Sequence, residues 1–207
     1  MMQFVGLGEH FIFAALGLAS IIALAVTLER GIVFRRNSSK SSYRFISGFS
    51  EILRTHDLDK SDEYIKKSSA GIYSEFAGFA LEYYMKGHNG LGELLQGKVI
   101  EKKVYLEKRL SILNTLGNNA PFIGLLGTVL GVIKAFYNLG LMGDTGTELV
   151  MKSISTALLA TAAGLFVAIP VVMANNYFTK NVKIIIHNLE IISMEFMASM
   201  AHKKSSE

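Results

Sequence analysis

The sequence predicts an all-α integral membrane protein with three transmembrane helices. Span three and the segment before span two extend from the membrane as long cytoplasmic helices. Three observations predict this. The 207-residue chain is 50% hydrophobic with a mean hydropathy of +0.35, and its apolar residues are gathered in blocks rather than spread evenly. Lys and Arg cluster on one side of each block. The remaining segments carry apolar residues at helical spacing, and no hairpin signal stands out.

The amino terminus, 1–10, is read as lying outside. A hydrocarbon core of about 30 Å needs roughly 20 helical residues, so 11–34 is long enough for span one. A cleaved leader fits poorly. Met1 to Gly8 has no Lys or Arg, and the basic residues Arg30, Arg35 and Arg36 follow the apolar run instead of preceding it. Residues 35–118 form an inner helical domain rich in Lys and Arg. Span two covers 119–141, an acidic turn 142–148 holds Asp144 and Glu148, and span three covers 149–178. The tail, 179–207, carries Lys180, Lys183, Lys203 and Lys204. Basic residues favour the cytoplasmic side, which places the amino terminus and the short turn outside, and the long loop and tail inside. Lys152 runs against this trend and is outweighed.

Within the inner domain, 43–58 and 62–86 carry helical patterns, with Ile65, Ile72, Phe76, Phe79 and Tyr83 on the apolar side. Lys86-Gly-His-Asn-Gly-Leu-Gly is a breaker. A further pattern from Glu93 to Leu116, with Val99, Leu106, Leu110 and Leu113, is expected to run into span two with an interruption near Pro121. Val182, Ile185, Leu189, Ile192 and Phe196 extend span three as an amphipathic helix.

The net charge of +4 and pI near 9.2 suit an anionic membrane surface, and nothing matches a nucleic-acid module. Cysteine is absent, which excludes disulfide and thiol chemistry. His10, His56, His88, His187 and His202 show no metal-ligand spacing. The informative residues lie in spans two and three. Gly124, Gly127 and Gly131 form one small-residue ridge, and Ala157, Ala160, Gly164 and Ala168 form another. Such ridges let membrane helices approach closely. Thr128 and Thr161 sit beside them at similar depth. Each either bonds a carbonyl of its own helix or faces a shared polar path. Pro170 frees the carbonyl of Phe166, which water or a neighbouring helix must satisfy. Lys134 lies inside span two, as an interfacial or a pore charge. It is about two turns from the outer end, where its long stem can snorkel outward or meet Asp144 or Glu148. Glu29, Arg30 and Lys152 read as interfacial charges. No carboxylate lies in spans two and three, so the chain looks incomplete as a proton carrier.

At NAPFIGLLGTVLGVIKAF and ISTALLATAAGLFVAIP, within Asn119 to Asn176, the chain resembles the MotA/TolQ/ExbB proton channel family. Three spans, a large inner loop and an outer amino terminus match the ExbB and TolQ branch. The resemblance implies a multi-pass protein of the bacterial inner membrane, with a periplasmic amino terminus and a cytoplasmic carboxyl terminus. It implies a homopentamer whose spans two and three surround single helices of two ExbD- or TolR-like partners, each carrying a membrane aspartate. It also implies an energy transducer of TonB or TolA type and no bound cofactor. Thr128 and Thr161 match the family's pore threonines, and Pro121 and Pro170 its prolines. One departure is Thr156, where ExbB and TolQ proteins usually have glutamate. Thr156 favours sodium as the ion, whereas Ala160 beside Thr161 favours protons, and the proton is the expected ion.

A structural scaffold and a small secondary transporter are the competing functions. A transporter would show repeated halves and broken helices, which are not evident. An enzyme is not expected, because no nucleophile, carboxylate pair or metal cluster lies at membrane depth. The topology is directly testable, since the chain has no native cysteine. Thr145→Cys should react with an impermeant maleimide from the outer face, and labelling from the cytoplasmic face alone would overturn the orientation.

Overall fold

The computed structural model describes residues 2–37, 40–55, 57–68, 71–86, 90–142 and 147–204. Among them it forms seven helices and no strand: α1 (Met2–Asn37), α2 (Lys40–Arg54), α3 (Leu58–Lys67), α4 (Ile72–Met85), α5 (Leu91–Glu107), α6 (Leu110–Met142) and α7 (Thr147–Lys204). Three stretches are long and apolar enough to cross a membrane: Gly6–Arg35, Leu110–Leu141 and Thr147–Ser199. The all-α, three-span expectation is met. The chain divides into two compact units. One comprises Met1–Glu29 and Arg109–Tyr177, the other Arg30–Lys108 and Phe178–Glu207.

In the first unit, each span buries one narrow stripe and exposes the rest. On α1 the buried residues are Ile12, Leu16, Ala19, Ala23 and Val26, at alternating spacings of four and three, while Phe11, Leu18, Ile21, Leu24 and Leu28 are exposed. That is the pattern of a helix with lipid on most sides and protein on one. On α6 the buried stripe includes Gly117, Ala120, Gly124, Gly127, Gly131 and Ala135. On α7 it includes Ser153, Ala157, Ala160, Gly164 and Val167. The two small-residue stripes face each other in antiparallel order. A Cβ placed on Gly127 would fall 2.5 Å from the Ala160 Cβ, and one on Gly131 3.2 Å from the Ala157 Cα. One placed on Gly164 would fall 2.7 Å from the Ala120 carbonyl oxygen and 3.0 Å from the Gly124 Cα. The backbones therefore meet with no space for a side chain on the glycine side. Ile12 of α1 packs beside the same Gly127, and Leu130 of α6 lies over Gly8.

The second unit is a conventional aromatic and aliphatic core. Phe45, Phe49, Leu53, Phe76, Leu95 and Leu106 are at most 2% exposed. Val182, Ile185, Leu189, Ile192 and Phe196 form the matching buried stripe of α7, as their spacing predicts. Two polar contacts cross this core. Asn188 Nδ2 donates to the Tyr73 hydroxyl at 3.2 Å, and Ser199 Oγ donates to the Leu53 carbonyl at 2.8 Å. Burial of the Tyr73 phenol pushes its pKa up, opposed by the bond from Asn188. Asp57 caps α3 by accepting from the Lys60 N–H at 3.0 Å, and that same lysine's side chain holds its carboxyl below the usual range.

The helix boundaries differ from the sequence pattern at three places. The pattern over 43–58 stops at Arg54, and Asp57 caps the next helix. The pattern over 62–86 is divided between α3 and α4, because Gly71 adopts φ 59°, outside the helical region. The interruption expected near Pro121 lies instead at Lys108 and Arg109, and α6 runs unbroken through Pro121. Lys108 is extended at φ −49°, ψ 130°, and Arg109 is left-handed at φ 64°. That succession is close to a type II turn, whose second central residue is normally glycine. A left-handed arginine costs roughly 1–2 kcal/mol. The Arg109 guanidinium is ion-paired with Glu29 of α1, which anchors the turn. The expected break at 86–92 matches the gap between Met85 and Leu91. The acidic turn with Asp144 lies outside the described residues.

The interhelical contact yields a stability prediction. Gly164→Leu should destabilise the subunit by at least the 1–3 kcal/mol typical of overpacking, because a backbone carbonyl cannot rotate away as a side chain can. Gly140→Leu, with nothing within 4 Å of its would-be Cβ, should be nearly neutral. Thermal unfolding of the two variants in the same detergent checks this, and equal melting temperatures would refute it.

Candidate ion pathway

The sequence places three threonines in the two small-residue spans, and the structure separates their roles. Thr161 Oγ1 on α7 donates to the Gly124 carbonyl on α6 at 3.2 Å. The bond crosses from one span to the other, and it requires the glycine. A Cβ at position 124 would stand 3.1 Å from the Thr161 Cα and 2.8 Å from the Ala160 carbonyl. Thr128 instead donates to the Leu125 carbonyl of its own helix at 2.7 Å. Thr156 does likewise to Lys152 at 3.0 Å. Thr128 and Thr156 thus bond their own helix, the local arrangement of a membrane threonine, whereas Thr161 reaches the neighbouring span.

The ridge residues Gly124, Gly127, Gly131, Ala157, Ala160 and Gly164 converge on this crossing within a single chain. Ala168 is also buried, at 4% exposure. Pro121 is partly exposed and Pro170 exposed, and both helices continue through them. Ser153 Oγ donates to its own helix at Leu149, so it adds no second crossing.

Lys134 pairs with α1. Its Nζ donates to Glu9 Oε2 of α1 at 2.6 Å, and the two side chains are 28% and 13% exposed. Of the two acids expected within its reach, Glu148 is exposed at the start of α7 and Asp144 lies outside the described residues. Geometry decides the outcome: α1 lies against this part of α6, with Leu130 over Gly8, so the lysine stem meets a carboxylate sideways before it reaches the surface. Glu9 is the residue that sequence reasoning missed. Its signal was present as a charge that interrupts the first apolar run, but nothing local pairs residue 9 with residue 134. Lys152 is exposed, and Glu29 pairs with Arg109 at the far end of α1.

These two spans and their crossing lie in the part of the chain that comparison with known proteins identifies. The sequence profile of the MotA/TolQ/ExbB proton channel family matches residues 76–191. The chain belongs to this family. Proteins named ExbB are among its relatives. It is 32% identical over 166 residues to the biopolymer transport protein ExbB of Neisseria gonorrhoeae, covering 73% of this chain and 75% of that one. It is 38% identical over 115 residues to ExbB of Aquifex aeolicus, covering 54% and 76%. A shorter stretch of 71 residues is 49% identical to ExbB of Helicobacter pylori, covering 34% and 49%. The family is one of channels rather than of enzymes. The matched region holds every ridge and threonine position of α6 and α7 described above and excludes Glu9.

Proposed function

We propose that the chain is the stator-like channel subunit of a proton-driven motor in the bacterial inner membrane. Its spans α6 and α7 line the path, as a homopentamer around the single helices of ExbD- or TolR-like subunits. The partner helix supplies the aspartate that carries the proton. The work passes to a periplasm-spanning transducer of TonB or TolA type. The relatives named for biopolymer transport favour the TonB type over envelope maintenance.

The observation that carries this reading is the Thr161 hydroxyl on the Gly124 carbonyl. A hydroxyl both donates and accepts, so one that gives its proton to a carbonyl still offers lone pairs to a water or ion. A scaffold needs the ridge but not the hydroxyl. An interhelical bond of this kind contributes only about 0.6 kcal/mol on average in a membrane protein, too little to explain it as packing glue. Sodium is the second reading. Thr156, in the position where ExbB proteins usually carry glutamate, adds an oxygen, but its hydroxyl is engaged with its own helix.

Thr161→Val keeps the shape and removes the hydroxyl. The complex should still assemble, and proton-driven uptake should stop. Thr128→Val should do less, because that hydroxyl serves its own helix. Thr156→Glu should be tolerated if the position faces the path. Proton flux and partner-dependent uptake are to be measured in cells with matched complex levels. Full activity of Thr161→Val would leave the scaffold ahead, and flux that follows sodium and ignores the proton gradient would change the ion.

A further inference from the structure

The channel reading leaves the Glu9–Lys134 pair unused. Both residues lie within the stretches apolar enough to span a membrane. Glu9 is about 10 Å of helix from the start of α1, and Lys134 about 12 Å from the end of α6. Stability does not account for them. Removing two charges from water costs several kcal/mol per ion, and an apolar pair of similar volume usually packs as well or better. Ionisable groups at such positions mark ion paths by default.

The pair is also unbalanced. Lys134 Nζ engages Oε2 alone, while Glu9 Oε1 is buried with no hydrogen-bond partner among the described residues. A buried carboxylate oxygen left bare implies a proton or water that occupies it. Spans two and three hold no carboxylate over 119–141 and 149–178, so Glu9 is the acid this chain itself sets against span two. Among the described residues, Lys134 is the charged group in contact with it. His10 follows it on α1, and Glu148 and Lys152 at the outer end of α7 are exposed.

We propose that Glu9 Oε1 is a proton-accepting site at the outer end of the path, with Lys134 as its positioning residue. This rests on the channel reading above. A hydronium delivers its proton to Oε1, an O–H bond forms there, and a neutral water leaves. The pair passes from net neutral to net +1. Release breaks the same O–H bond and returns the proton to the next water. The ammonium orients the carboxylate through Oε2 and keeps the unloaded pair neutral, so a fixed lysine charge does not repel the incoming cation.

The test uses the full chain in vesicles of phosphatidylethanolamine and phosphatidylglycerol. Infrared difference spectra are recorded across a pH series, and proton uptake is followed with the cognate single-span partner present. The variants are Glu9→Gln, Lys134→Met and the two together. The wild type and Lys134→Met should show a carboxyl C=O band that grows on acidification. Glu9→Gln and the double variant should lack it. Uptake by Glu9→Gln should fall to the leak of empty vesicles, and the double variant should stay there. Absence of any Glu9-dependent band overturns the site. So does full uptake by the double variant, which would reduce the pair to charge cancellation. Wild-type vesicles that show the band but pass no protons would sink the channel reading and leave the site standing.

Discussion

The structure depends on how closely the backbones of α6 and α7 approach. Lipid tails are as apolar as leucine, so burying leucine gives no net drive for two helices to associate in a bilayer. What remains is dispersion between surfaces that touch, and glycine and alanine let main chains touch. Each rung from Ala120 to Ala157 sets a glycine against an alanine or against backbone. The large side chains Leu125, Leu126, Leu158, Leu159 and Phe166 are turned outward and exposed, where a membrane would solvate them. Polarity is reversed relative to the other unit, which buries most of its phenylalanines and exposes most of its charges.

The same approach places the polar chemistry. A threonine hydroxyl reaches a carbonyl on another helix only where no Cβ intervenes. Gly124 provides that opening, and Thr161 fills it. Thr128 and Thr156 have their own carbonyls within reach and use them. One residue type thus serves two purposes, decided by what its neighbour lacks. Ionic groups follow a similar logic at the helix ends: Arg109 and Glu29 near one end of the spans, Lys134 and Glu9 toward the other.

Much of this was legible in the sequence because it is written locally. Apolar length gives the spans, period gives the buried stripe of α7 from Val182 to Phe196, and spacing gives the ridges. Local signals also explain the gap after Met85. The break at Arg109 was not legible, since neither glycine nor proline marks it and arginine rarely adopts a left-handed backbone. The division at Gly71 was marked by a glycine and outweighed by the apolar period around it. Which hydroxyl crosses, and that residue 134 meets residue 9, depend on tertiary placement. No window along the chain contains both members of either contact.

The opposed ridges also constrain how the sequence can drift. A rung such as Gly127 against Ala160 has room for one methyl group, and its total matters more than its owner. Exchanging the two residues conserves volume, yet no single substitution achieves the exchange. One order passes through a pair of alanines, whose methyls would overlap. The other passes through a pair of glycines and leaves a methyl-sized void, at a cost of about 1 kcal/mol. The void is the passable route. Homologous chains should therefore show these positions changing in pairs, with glycine on both sides as the transient and alanine on both sides avoided.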